Sequence, residues 1–172
     1  YSGGKAYETL NPQSSSDFPF ITHTCATAAT GLVVNNSSGL LKLNGAGTLS
    51  AAKVTAASNL GKGLEVNASA TINSLTVAAD TELNIVNGNT LSGSTKIPAN
   101  KTLSLIGTGT LNSALNLEGT LEAEANLTVS GAISVADNAT VSIPAANTTL
   151  TYSGGNLTVD AYTLSLAGAG TF

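Results

Sequence analysis

Apolar and polar residues alternate in short bursts along most of this chain. "LEV" (64–66), "LTV" (75–77), "LNI" (83–85), "LSL" (103–105), "LNL" (115–117), "LTV" (127–129), "ISV" (133–135), "VSI" (141–143), "LTV" (157–159) and "LSL" (164–166) all follow it. A period of two predicts strands with one buried face. Gly, Asn, Asp and Pro separate the bursts and predict turns. Gly, Thr, Asn, Ser and Val, which lower helix stability, are scattered throughout, so no helix is predicted.

The bursts belong to a larger repeat. "LKLNGAGTL" (41–49), "LSLIGTGTL" (103–111) and "LSLAGAGTF" (164–172) recur at nearly equal steps, 103 − 41 = 62 and 164 − 103 = 61. "LTVAADTELNI" (75–85) aligns without a gap to "ISVADNATVSI" (133–143), a step of 133 − 75 = 58. "LSGS" (91–94) matches "YSGG" (152–155). Self-similarity at a fixed period is the signature of a repeat architecture. A unit of this length divides into three coils of about 20 residues, each with two or three short strands. The expected fold is all-β: a parallel β-solenoid over 36–172 with an irregular N-terminal cap; eight coils of this kind would make a rod of roughly 40 Å. The alternative is an antiparallel β-sandwich of pilin type, for which Asn44-Gly45 is a good hairpin turn. The later copies have Ile106-Gly107 and Ala167-Gly168 there, and a sandwich gives no reason for the echo.

Residues 1–35 lie outside the repeat and carry His23, Cys25, Phe18 and Phe20. A solenoid's first coil exposes unpaired backbone and an open core, so this segment is expected to act as a cap or a subunit contact. "YSGGKAYETL" (1–10) nevertheless echoes "YSGGNLTVDAYTL" (152–164), as though it were a last coil. The chain therefore reads as stopping on the opening of a third unit, whose remainder belongs either to a longer chain or to a second copy, and the echo at 1–10 favours the second copy.

The stretch "IPANKTLSLIGTGTLNSALNLEGTLEAEANLTVSGAISV" (97–135) resembles the parallel β-helices of secreted bacterial adhesins and autotransporter passenger domains, which share its Pro-Ala-Asn turn, Thr-Leu-x-Leu and Gly-Thr-Leu. The resemblance covers 36–172 and implies an elongated surface or secreted scaffold, without naming a ligand.

Composition narrows the function. Charged residues are 9%, aromatics 4%, and the net charge is −4 with no Arg. No basic stripe exists to meet phosphate, which disfavours nucleic acid. No apolar run reaches the length of a membrane span. With no Met and a Tyr at position 1, the chain reads as a processed product, extracellular or at the cell surface after removal of a signal sequence.

Candidate chemistry is sparse. His23 and Cys25 would point the same way on a strand, yet no other His or Cys completes a metal set. Glu118, Glu122 and Glu124 form the densest acidic group and Asp80 with Glu82 a second; both are expected to be solvated. Gly45/Gly47, Gly107/Gly109 and Gly168/Gly170 are expected at corners needing positive φ. An ice-binding face would need Thr-x-Thr at one place on successive coils; Thr22/Thr24 and Thr108/Thr110 have that spacing, while most coils read Thr-Leu-x-Leu or Leu-Thr-Val. Asn-x-Ser/Thr sequons at Asn35, Asn36, Asn67, Asn100, Asn126, Asn138, Asn147 and Asn156 are candidate glycosylation sites on turns.

No catalytic, cofactor or metal set emerges. The expectation is a non-enzymatic structural protein, a filament or adhesin-stalk subunit assembling head-to-tail through its β-edges, with itself and surface glycans as partners. Tyr1, Tyr7, Leu10, Tyr162, Leu164, Leu166 and Phe172 are the candidate subunit contacts. An ice- or polysaccharide-binding solenoid is one alternative, and a β-helix polysaccharide lyase or hydrolase using Glu122 and Glu124 another.

Overall fold

The computed structural model describes residues 32–35, 38–55 and 58–172, without the side chains of 58–62. Tyr1, Tyr7, Leu10, His23, Cys25 and Asn36 lie outside the described residues, as do all of 1–31.

The described residues form seventeen strands: β1 (Leu32–Val34), β2 (Leu40–Leu43), β3 (Thr48–Leu49), β4 (Ala52–Val54), β5 (Ser58–Val66), β6 (Ala70–Val77), β7 (Thr81–Ile85), β8 (Thr90–Ile97) and β9 (Thr102–Leu105) come first. They are followed by β10 (Thr110–Leu117), β11 (Thr120–Ala123), β12 (Leu127–Val129), β13 (Ile133–Val135), β14 (Ala139–Ile143), β15 (Leu150–Tyr152), β16 (Leu157–Val159) and β17 (Leu164–Gly168). Every pairing between them is parallel, and each joins strands one coil apart. This is a parallel β-solenoid, and the sandwich is not favoured.

Sheet B stacks β2, β5, β7, β9, β11, β14 and β17. Sheet A bends midway along each coil. Its first half, face A1, holds β3, the openings of β6, β8 and β10, then β12 and β15. Its second half, face A2, holds β1, β4, the ends of β6, β8 and β10, then β13 and β16. β10 pairs with β12 through Leu111 and with β13 through Leu115, which makes the bend explicit. β1, at the end of the segment assigned from sequence to a cap or subunit contact, already belongs to the sheet.

Coil length varies. Leu41 pairs with Leu64 (64 − 41 = 23) and Leu64 with Leu83 (83 − 64 = 19). Leu103 pairs with Leu121 (121 − 103 = 18), and Val141 with Leu166 (166 − 141 = 25). The seven strands of sheet B span about 29 Å at the ordinary inter-strand spacing. That is shorter than a rod of eight coils.

The long echo in the sequence is three coils. Leu91, Leu111, Val129 and Tyr152 stand in one inward column, and Leu75, Thr95, Leu115 and Ile133 in another. The first column climbs from 91 to 152 and the second from 75 to 133, which are the offsets of the two alignments.

The core is a shaft of stacked Leu, Ile, Val and Ala, with Leu83, Leu103, Leu111, Leu117 and Leu121 fully buried. Fully burying one such side chain stabilises by about 1.5–3 kcal/mol. Thr81, Thr95, Ser113 and Thr148 are the buried polar exceptions among the described residues, and at the bend Thr95 Oγ1 and Ser113 Oγ bond at 2.8 Å. Gly93, also at the bend, has φ +118°, and a Cβ there would overlap the Ile72 carbonyl. The repeated Gly-x-Gly pairs differ from expectation, since only Gly168 among the six has positive φ. Gly107, Gly109 and Gly170 are required by close approach: a Cβ would overlap the Ile85 carbonyl at Gly107 and the Ile85 and Ile143 side chains at the other two.

Candidate functional site

Three surfaces carry what chemistry the described residues offer. The first is the last coil. Sheet B ends on β17, and face A2 ends on β16. Their inward columns continue the core, yet no described residue stacks above them. Leu166 is 60% exposed although Leu121 and Val141 below it are buried, and Val159 is 39% exposed above buried Leu117 and Val135. Tyr162 and Phe172 are exposed beside them, and Phe172 stacks on Tyr152 with centroids 6.3 Å apart. Leu164 is half-buried against the core. Four of the candidate contact residues are thus brought to one end of the stack.

The second surface is an acidic ladder on sheet B. Glu82, Ser104, Glu122 and Ser142 occupy one outward column on successive coils. The Ser104 and Ser142 hydroxyls donate to Glu122 Oε1 and Oε2 at 3.2 and 3.3 Å. Glu82 Oε2 is buried with no hydrogen-bond partner. Burial, then the charges of Glu122 and Glu82, push the Glu124 carboxyl above its ordinary range. Sequence proximity grouped these acids differently. Glu118 is turned aside to Lys96 at 2.6 Å, and Asp80 Oδ1 accepts the Thr102 backbone N–H at 2.9 Å. Among the described residues no group of three His, Cys, Asp or Glu side chains is placed to hold a metal ion.

The third surface is face A1. One outward column runs Thr90, Thr110, Thr128, Thr151, with Ser69 Oγ accepting the Thr90 N–H below it. A second runs Thr48, Thr71, Ser92, Asn112, and Ser130 and Ser153 follow on later coils. Every residue of these two columns is Thr, Ser or Asn. The unit is Thr–apolar–Ser/Asn on successive coils, a pattern invisible to a search for Thr-x-Thr because the alternate polar residue is not Thr. Beside it, along the bend, small Ser94, Ala114 and Ala132 leave an open groove of ≈ 580 Å³ rimmed by Lys96, Asn116 and Ser134.

Asn67, Asn100, Asn126, Asn138, Asn147 and Asn156 all lie outside the strands, on turns. Two act as coil-to-coil caps: Asn126 Oδ1 and Asn138 Oδ1 accept the Thr149 and Thr163 N–H groups at 2.7 and 3.0 Å. Asn67 Nδ2 donates to Asn44 Oδ1 and Glu65 Oε1. No helix among the described residues is long and apolar enough to cross a membrane.

No protein-family model matches the chain, and neither a curated protein nor a solved structure matches it.

Proposed function

We propose that the protein is a non-enzymatic structural subunit of an extracellular filament or adhesin stalk, in which the last coil of one copy receives the first coils of the next. The carrying observation is that Leu166 and Val159 stand on buried columns and are themselves exposed, with no described residue stacked on them. All the described strands run parallel, so a copy added head-to-tail extends both sheets in the same sense, and a heterologous contact of that kind generates open filaments. The occupant is a second copy because its β2 and the turn after it carry nearly the same string as β17: "LKLNGAGTL" against "LSLAGAGTF". The echo of 1–10 in 152–164 supports the same pairing.

Burying Leu166 and Val159 supplies about 1.5–3 kcal/mol each at most. Association costs about 4–15 kcal/mol in lost freedom. The β15, β16 and β17 edges must therefore pair along their backbones for the contact to hold, which is strand addition at an unpaired edge. Sedimentation and negative-stain microscopy across a concentration series test this. Filaments or growing oligomers are expected from the wild type, and folded monomers from Val159→Lys/Leu166→Lys. A wild type monomeric at every concentration contradicts the proposal.

A further inference from the structure

Charge is distributed unevenly over the three faces. Sheet B presents Lys42, Glu65, Glu82 and Glu122 outward, and face A2 presents Lys53 and Lys96. The parallel ladder thus accepts charged side chains in outward columns. Face A1 has none on any described coil, nor any outward aromatic ring. Sheet-forming tendency alone does not account for that difference, because sheet B uses Thr102, Thr120 and Thr140 at equivalent strand openings and still carries acids beside them.

The face is also ordered in two dimensions. Successive coils place like groups about 4.8 Å apart, and alternate residues along a strand lie about 6.6 Å apart. Thr is stiff at χ1, so a column of Thr90, Thr110, Thr128 and Thr151 holds its hydroxyls and methyls in place before any partner arrives. Little rotamer freedom remains to be lost on binding. A surface of hydroxyls and amides can donate and accept at every site, and without ions no tightly held hydration shell has to be stripped.

A flexible chain needs no such regularity in its receptor, whereas a crystal does, since it repeats itself. A polysaccharide surface would be met in part by aromatic rings stacking on sugar faces, and face A1 offers none. We propose that face A1 binds crystalline water: the Thr–apolar–Ser/Asn lattice is an ice-binding surface. It acts in the single copy and is independent of end-to-end assembly.

The test is partition of the purified full chain into slowly growing ice, together with thermal hysteresis. Wild type is expected to enrich in ice and show hysteresis. Thr110→Lys and Thr128→Lys should lose both, while Thr120→Lys and Thr140→Lys on sheet B retain them. Asn112→Lys, at an exposed position of face A1, gives the same readout with the least burden on folding, and circular dichroism confirms that each variant is folded. Exclusion of the wild type from ice overturns the proposal. Equal losses from sheet B substitutions also overturn it, as does binding to crystalline cellulose without partition into ice.

Discussion

Removing the Thr95 hydroxyl gives the sharpest energetic test of the stacked core. Thr95 and Ser113 lie on adjacent coils, 2% and 1% exposed, and bond only because the bend sets β8 beside β10. Thr95→Val keeps the shape but leaves the Ser113 hydroxyl buried with its partner gone. The cost is that of an orphaned polar group, about 1–3 kcal/mol. Ser113→Ala orphans Thr95 in the same way and should cost a similar amount. The double variant removes both hydroxyls, replacing a buried polar pair with apolar groups, which is nearly neutral. A coupling energy of about 1–3 kcal/mol, with the double variant more stable than either single, is therefore expected. Urea unfolding followed by far-ultraviolet circular dichroism measures it, with an unchanged m-value as the sign that only stability moved. Additive single losses, with coupling near zero, would refute a direct Thr95–Ser113 contact and the register that makes it.

Gly109→Ala should destabilise by about 1–3 kcal/mol by overpacking against Ile85 and the Asn89 carbonyl, whereas Gly45→Ala, which meets nothing within 4 Å, should stay within about 0.5 kcal/mol of wild type. Both are read as shifts in denaturation midpoint. The Glu124 carboxyl holds its proton more tightly in the folded than in the unfolded chain. Its contribution is thus present below the ordinary value of 4.5 and lost as pH rises through the raised folded value. The unfolding midpoint of the wild type should fall over that window, and Glu124→Gln should flatten the fall; an unchanged slope contradicts the carboxylate crowding.

Period-two alternation and the three-coil echo were enough to place the strands and the parallel stack, because each inward column reuses Leu, Ile or Val at a spacing the sequence displays. Register was not legible. Coils differ in length, and the difference is made at the turns, where indels leave no periodic signal. That is why Glu82 joins Glu122 and Glu124 across two coils while Glu118, nearer in sequence, turns to Lys96. Five of the six Gly-x-Gly glycines lie outside the strands and Gly168 closes β17, but the reason lay in neighbouring coils rather than in positive φ: Gly109 faces Ile85 on the coil below, a contact no local pattern encodes. The uncharged face followed the same logic. Its Thr–apolar–Ser/Asn unit is common in the sequence and becomes a surface only once Thr90, Thr110, Thr128 and Thr151 are stacked.

Both the end-to-end contact and the ice-binding lattice depend on residues about one coil apart being vertical neighbours. Asn116 and Ser134 face outward in one such pair on face A2, while Thr140 lies on sheet B. Paired cysteines introduced at 116 and 134, with Cys25 replaced by Ser, fall within disulfide reach, since adjacent strands meet the Cα separation of about 4.4–6.8 Å that the bond requires. Mild oxidation should close an intramolecular disulfide between 116 and 134 and none between 116 and 140. Failure of the first pair, or equal closure of the second, would contradict the parallel stack on which the account rests.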